Sequence, residues 1–462
     1  MDVNAILAVH SPFDGKSMAE IPLTDKFSLE HKISHACLLH KKYPQGLPRE
    51  VRKKVLQKLG ETLRGEFENI AILATNEGGK PIRDSRVEVA RVINGIDRCI
   101  DWLNGAETED IPMNLNEASA GRTAELHKEP IGVVAAISAF NHPINLIVHQ
   151  AITAFTAGCP VVIKPAMETP LSCLRLEEMM TASGCPEGWF QTVILTNPLA
   201  ERLACDKRIA YLNFIGSSKI GWYLRSKLPP ETRCALEHGG LAPAIVCADA
   251  DLALTIASIV RGGFYHAGQV CVSTQRVFVD ASILEEFIRQ ITAQTKKLVT
   301  GNPLSESTDV GPIIRKQDAD RILSWVSEAV AEGASLLCGG TMTGLQCIEP
   351  TILLNPPVTA KVSQLEIFGP VICIFTFEKV EAAIDLANDT RFHFQAAVFS
   401  TDRNQANTIA EKLNASAVMI NDHTAFRVDW MPFAGRTESG LGVGGIRYSI
   451  DDMTKLKLLV SR

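Results

Sequence analysis

Cys271, Glu237 and Asn141 supply the three parts that covalent catalysis at a carbonyl needs: a nucleophile, a base and an oxyanion donor. Cys271 stands in Gly268-Gln269-Val270-Cys271 and is followed by the polar stretch Ser273-Thr274-Gln275-Arg276. A thiolate nucleophile works in that kind of polar, partly exposed setting. Glu237 precedes His238-Gly239-Gly240, where glycines let backbone approach a ligand closely. Held near a thiol, it could activate first the thiol and then water. Asn141, in Phe140-Asn141-His142-Pro143, lies where a strand hands over to a helix, and its side-chain amide could stabilise an oxyanion. Each has a plainer explanation when read alone. A cysteine is usually a small buried hydrophobe, a glutamate beside glycines a solvated helix end, and an Asn before Pro a helix cap.

Two further features point to a phosphate-bearing ligand. Gly216-Ser217-Ser218-Lys219-Ile220-Gly221 follows an apolar strand and opens a helix. Strand, glycine turn and helix N-terminus together make an anion site, although the spacing is not the common G-x-G-x-x-G. Lys164 closes the run Val161-Val162-Ile163 and precedes Pro165. A lysine at the carboxyl end of a strand can reach a ligand at a sheet's switch point, or simply face water.

The elements that must hold these residues alternate. Residues 28 to 109 are mostly helical in pattern, with a clear amphipathic run from Val51 to Phe67. An exposed hairpin arm is expected at Ala118 to Lys128. Buried strands then follow at residues 131 to 137, 161 to 163, 192 to 195 and 210 to 214. Helices at 144 to 156, 171 to 183 and 217 to 227 separate or follow them. After Gly240 the alternation restarts, with strands at 244 to 246, 276 to 279, 370 to 377 and 396 to 399, and helices at 252 to 266 and 283 to 298. Such alternation indicates parallel sheets wrapped by helices, an α/β class. The apolar tail from Lys455 to Val460 reads as a terminal strand that needs a neighbour to pair with, another subunit being one candidate.

Bulk properties set limits. A chain of 462 residues exceeds one hydrophobic core, so two or more lobes are expected. A net charge of -6 gives no basic field for nucleic acid, and the scattered Lys and Arg form no polybasic membrane patch. No apolar segment reaches the roughly 20 residues of a membrane helix. The 12 cysteines include no close Cys-x-x-Cys pair, and Cys159, Cys247 and Cys373 lie in apolar runs. Buried thiols in a reducing, cytoplasmic setting are expected, with no disulfide framework and no metal centre.

Taken in order, these motifs resemble the aldehyde dehydrogenase superfamily. The resemblance runs from about Lys53 to the C-terminus. It rests on Pro130-Ile131-Gly132-Val133 leading to Phe140-Asn141, then Gly158-Cys159-Pro160-Val161-Val162-Ile163-Lys164-Pro165 and Phe214-Ile215-Gly216-Ser217. Glu237-His238-Gly239-Gly240, Gly268-Gln269-Val270-Cys271, Glu366-Ile367-Phe368-Gly369-Pro370 and Pro432-Phe433-Ala434-Gly435 with Ser439-Gly440 complete it. The resemblance implies two Rossmann-like domains plus a small β oligomerisation arm. Residues 1–111 and 129–239 would bind the cofactor, 240–444 would form the catalytic domain, and 112–128 with 445–462 would form the arm. It also implies a homodimer or homotetramer, with arm and tail crossing to a neighbour.

The roles implied are specific. Cys271 would attack the aldehyde, with Asn141 and the Cys271 amide holding the oxyanion. Hydride would leave for NAD or NADP to give a thioester, which Glu237 would hydrolyse through water. Lys164 would contact the adenosine ribose, Gly216 and Ser217 the pyrophosphate, and Glu366 the nicotinamide ribose, with Phe140 and Phe368 nearby. Many members carry Glu where this chain has Met167, with Glu168 next, so NADP as well as NAD is expected. His238 replaces a usual leucine, and Phe392-His393-Phe394 a usual Tyr-Gly-Leu.

The substrate end also departs from the family. His142, Asn145, His149 and Arg427 occupy positions that are often apolar or aromatic, beside Phe433. Four polar groups, one always cationic, favour a small polar and anionic or hydroxylated aldehyde. A CoA-acylating dehydrogenase is an alternative, although acylating members usually lack the base at Glu237. A thiol hydrolase and an inactive relative with a binding or structural role are further alternatives.

Overall fold

The computed structural model describes residues 5–462. Two largely parallel sheets carry the chemistry. The first has six strands in the order Gly440–Leu441, Arg233–Glu237, Ile209–Ile215, Val133–Ile137, Val161–Lys164 and Phe190–Thr192. Only the short Gly440–Leu441 strand is antiparallel, pairing Gly440 with Glu237. Every residue of Val133–Ile137 is buried, as expected for a parallel strand covered on both faces. From this strand the chain winds outward through Val161–Lys164 and Phe190–Thr192, then crosses to Ile209–Ile215 on the other side. The carboxyl ends of Val133–Ile137 and Ile209–Ile215 therefore flank a switch-point crevice. Phe140 and Asn141 follow the first of these ends, and Gly216 and Ser217 follow the second.

The second sheet has seven strands, in the order Ser335–Cys338, Thr351–Leu354, Val371–Phe377, Arg276–Asp280, Pro243–Val246, Gln395–Phe399 and Ala417–Ile420. All but Ser335–Cys338 run parallel. Its core, around Ile245, Phe278, Ile374 and Val398, is separate from the two cores that pack against the faces of the first sheet. The α/β architecture expected from the alternation is thus present, twice over.

The structure moves several boundaries. The strand expected at 192 to 195 is Phe190–Thr192, and the helix expected to reach His266 ends at Phe264. Beyond it His266, Ala267 and Gly268 adopt left-handed backbone angles, with φ of 50°, 54° and 68°. That conformation is unfavourable for the two non-glycine residues and turns the chain sharply three residues before Cys271. The helix expected at 144 to 156 contains a π-turn over Val148–Ile152, a local widening often found near functional sites.

The tail strand differs most from expectation. Thr454–Ser461 pairs along its whole length with Thr123–Pro130 of the same chain, which in turn pairs with Thr108–Asp110. Within the chain, the neighbour of the tail is its own arm. The preceding helix Ile446–Asp452 is no part of the arm sheet. It buries Ile446 and Ile450 in the core beneath the first sheet.

Candidate active site

A cleft of about 620 Å³ opens between the two sheets. Of the fifteen residues singled out from the sequence, it is lined by Cys271, Glu237, Asn141, His142, Asn145, Arg427 and Phe433, together with Phe140, Gly216, Ser217, Glu366 and Phe368. Lys164, Met167 and His149 are not among its lining residues. Lys164 is buried and its Nζ donates to its neighbour Pro165 O at 3.1 Å. Met167 is half-buried, and the adjacent Glu168 faces Arg315 at 3.8 Å.

At the centre, Cys271 Sγ lies 3.9 Å from Glu237 Oε1. Burial pushes the thiol well above its ordinary value and the Glu237 carboxylate adds to the shift, while Arg427 opposes it. Burial likewise raises Glu237, again with Arg427 in opposition. The thiol is held toward its neutral form, with the Glu237 carboxylate as the acceptor facing it. Asn141 Nδ2 donates to Gln269 O at 2.9 Å, which fixes the amide beside the loop carrying Cys271. Gln269 is pinned in turn: its Oε1 accepts from Ile314 N at 2.9 Å, and its Nε2 donates to Pro312 O at 3.2 Å.

Sequence reasoning missed what caps the helix that follows Asn141. Glu88 Oε1 accepts from the backbone N–H groups of Ile144 and Asn145, at 3.1 and 3.0 Å, at the start of the helix that follows. Its other oxygen pairs with the fully buried Lys80 at 2.5 Å. Carboxylates at a helix N-terminus satisfy orphan donors there, and this one is supplied from 56 residues away. No local pattern signals such a long-range cap.

On the cofactor side, Ser217 caps the helix Ser218–Arg225 without spending its hydroxyl on the cap. The Gly216 amide donates to Glu237 O at 3.0 Å, and His238 Nδ1 donates to Gly216 O at 3.0 Å. Both backbone groups of Gly216 are thus tied to the segment that bears the base. Gly221 leaves room for the His238 ring, which any side chain at 221 would strike. This gives His238 a structural role in joining the glycine turn to the sheet. Glu366 accepts from Gly240 N at 3.2 Å and rests on Gly239, where a Cβ would collide with its carboxylate. Burial pushes Glu366 up to about 8. Phe140 and Phe368 meet edge to face at 5.7 Å. A helix N-terminus at a switch point, an acceptor in the cleft and two aromatic rings fit a dinucleotide, and Ser217, Glu366 and Phe368 are placed to hold one.

At the far end the four polar residues do not act alike. His149 Nε2 donates to Asp429 Oδ1 at 2.7 Å, and Asn145 Nδ2 to the same oxygen at 3.3 Å. Arg91 grips Asp429 with two hydrogen bonds, Nε to Oδ2 at 3.0 Å and Nη2 to Oδ1 at 2.7 Å. His142 sits 3.4 Å from the Tyr265 hydroxyl, and burial drives its ring far below its ordinary value, so it is neutral. Arg427 stacks its guanidinium 3.5 Å above the Phe433 ring, and its buried Nε has no hydrogen-bond partner. Arg91, Asp429 and Tyr265 were not singled out from the sequence. Asp429 meets its partners across separations of 280 residues or more, which no local motif encodes.

The sequence and the fold match known proteins. The aldehyde dehydrogenase family model covers residues 2–459, and the chain belongs to that family. It is an NAD(P)-dependent aldehyde dehydrogenase. A 3-sulfolactaldehyde dehydrogenase of Priestia aryabhattai is 37% identical over 412 residues, covering 88% of this chain and 86% of the relative. The crystal structure of aldehyde dehydrogenase 21 from Physcomitrella patens, in complex with its reaction product succinate, superposes with a TM-score of 0.95 at 35% identity, over 99% of this chain and 95% of that one. Glyceraldehyde-3-phosphate dehydrogenase of Methanocaldococcus jannaschii, complexed with NADP, gives 0.94 at 31% identity over the full length of both chains.

Proposed function

We propose that this enzyme oxidises a small aldehyde carrying an anionic group, and that Arg427 receives that group. The observation that carries the reading is a buried guanidinium in the cleft whose Nε has no hydrogen-bond partner, the nearest carboxylate oxygen, of Asp429, lying 4.0 Å away. The relatives' names support it: one acts on a sulfonated aldehyde and another binds succinate as product.

Cys271 Sγ would attack the carbonyl carbon while Glu237 takes the thiol proton. The resulting oxyanion would be held by the Asn141 amide and the Cys271 backbone N–H. The nicotinamide, when bound, supplies the hydride acceptor. Loss of hydride leaves a thioester on Cys271. Glu237, once it has passed the thiol proton to solvent, would remove a proton from water, which attacks the acyl carbon. The C–S bond breaks, the acid leaves as carboxylate with its proton going to solvent, and the Cys271 thiolate recovers a proton from Glu237. Gly216 and Ser217 would hold the pyrophosphate, Lys164 the adenosine ribose and Glu366 the nicotinamide ribose. Met167 leaves no carboxylate to repel a 2′-phosphate, so both NAD and NADP would serve. The lobe of residues 1–111 and 129–239 would present the cofactor to the thiol of residues 240–444.

Assembly follows from an edge. The outer side of Thr454–Ser461 is unpaired, and Leu456, Leu458, Leu459 and Val460 are exposed on it. A second copy of the chain would cover this strand, giving a homodimer or homotetramer. No helix among the described residues is long and apolar enough to cross a membrane. The twelve free cysteines suit a reducing cytoplasm.

The test is a panel of short carboxylated, sulfonated and neutral aldehydes assayed with both cofactors. Anionic aldehydes should give the highest kcat/KM, and Arg427→Ala should erase that preference. A preference for neutral or apolar aldehydes in the unaltered enzyme overturns the reading. Cys271→Ala should abolish turnover while NADP binding persists, and residual aldehyde oxidation in that variant overturns the mechanism.

A further inference from the structure

We propose that Asp429 is the specificity-determining residue at the anion end of the cleft. By engaging Arg91 it leaves a single uncompensated guanidinium, that of Arg427, and so selects aldehydes bearing one negative charge over those bearing two. This rests on the reading of the cleft as taking an anionic aldehyde, and names the charge class within it.

The geometry sets a hierarchy between two arginines that both line the cleft. Arg91 meets both oxygens of Asp429 in a forked pair, the strongest form of such a contact. Arg427 approaches the same carboxylate only to 4.0 Å through Nε, outside hydrogen-bond range. Asp429 itself is 2% exposed and lies behind the two arginines rather than in the cleft lining. His149 and Asn145 add two more donors to Oδ1, so the carboxylate is saturated. Burial works against its charge, yet the bonds from His149 and Arg91 hold it far below the usual carboxylate range. Burial also lowers His149, against the pull of Asp429.

Two guanidiniums against the Asp429 carboxylate leave one positive charge at this end of the cleft; Glu237, whose charge also acts on Arg427, is engaged with the Cys271 thiol at 3.9 Å. A carboxylate or sulfonate balances it. A phosphate monoester carries about −1.5 to −2 at neutral pH. Its second charge would sit in a buried site with no partner and with Asp429 close behind Arg427, at the cost of an uncompensated buried charge.

The test uses the intact enzyme with saturating NADP and three short aldehydes: succinate semialdehyde, glyceraldehyde 3-phosphate and neutral glyceraldehyde. Each kcat/KM is read as a ratio to that of the neutral aldehyde in the same variant. Asp429→Asn frees Arg91, and the dianion-to-monoanion ratio should rise about tenfold or more. Arg91→Gln leaves Asp429 facing Arg427 alone, and both anionic ratios should fall by about tenfold. An unchanged dianion-to-monoanion ratio in Asp429→Asn overturns the proposal. Should Asp429→Asn fail to fold, Arg91→Gln decides, and unchanged anionic ratios there overturn it. Arg427→Ala separates this proposal from its foundation. If the anionic preference survives that variant, the anion site is elsewhere; if it is lost while Asp429→Asn changes nothing, only the role of Asp429 falls.

Discussion

Arg427 is the charge that opposes the burial-driven rise of both Cys271 and Glu237. In the proposed mechanism Glu237 works as a carboxylate, so raising its pKa would move the acid limb of deacylation to higher pH, with activity falling as pH drops through it. Arg427→Ala removes the opposing charge and should shift that limb upward. A pH profile of kcat for a neutral aldehyde checks this, and a downward shift or none contradicts it. Glu237→Gln should leave a rapid burst of NAD(P)H followed by a slow steady rate, since hydride transfer survives the loss of the water-activating base. Stopped-flow absorbance that shows no burst removes Glu237 from deacylation. Cys271 and Glu237 draw notice in the sequence because glycines stand near each, and Asn141 because it comes just before Pro143 where a strand hands over to a helix. Asp429 was illegible: its neighbours Val428 and Trp430 say nothing of Arg91 or His149. The four polar residues picked from the sequence looked alike, and only the structure shows His149 and Asn145 bonded to Asp429 while Arg427 Nε has no partner.

Buried strands were readable as elements because a parallel sheet covered on both faces demands unbroken apolar runs such as Val133–Ile137. The π-turn at Val148–Ile152 was not, since its residues have ordinary helical character and the turn lies in the hydrogen-bond register alone. The helix that includes it starts on the carboxylate of Glu88, which Lys80 balances. Lys80→Met strands a buried carboxylate at that helix start and should cost about 3–5 kcal/mol. The double variant Lys80→Met with Glu88→Met should recover much of the loss, though not the helix cap. Thermal midpoints of the two variants decide it. Equal midpoints for Lys80→Met and the unaltered enzyme would remove the pair from any part in stability.

At the scale of the molecule, the tail was legible as a strand but its partner was not, because an alternating apolar segment pairs equally well within or between chains. The structure pairs it with the arm of its own chain and leaves the outer edge open. Replacing Leu456 and Leu458 together by Glu should therefore lower the oligomeric mass seen by light scattering without unfolding the arm sheet. An unaltered mass would place the subunit contact elsewhere. The cluster around Asp429 has another consequence at this scale. It joins the helix Ile82–Asn104 through Arg91, the π-turn through His149, and the loop before Phe433 through Asp429 itself. Arg91, Asn145 and His149 are thus mortar between three parts of the wall, and Arg427 is not. On the proposed reading, a drift toward uncharged aldehydes would start at Arg427, whose Nε bonds to none of these groups, at the cost of the charge that opposes the rise of Cys271 and Glu237. Changes at the other three positions become tolerable only in lineages that have first accumulated stability elsewhere.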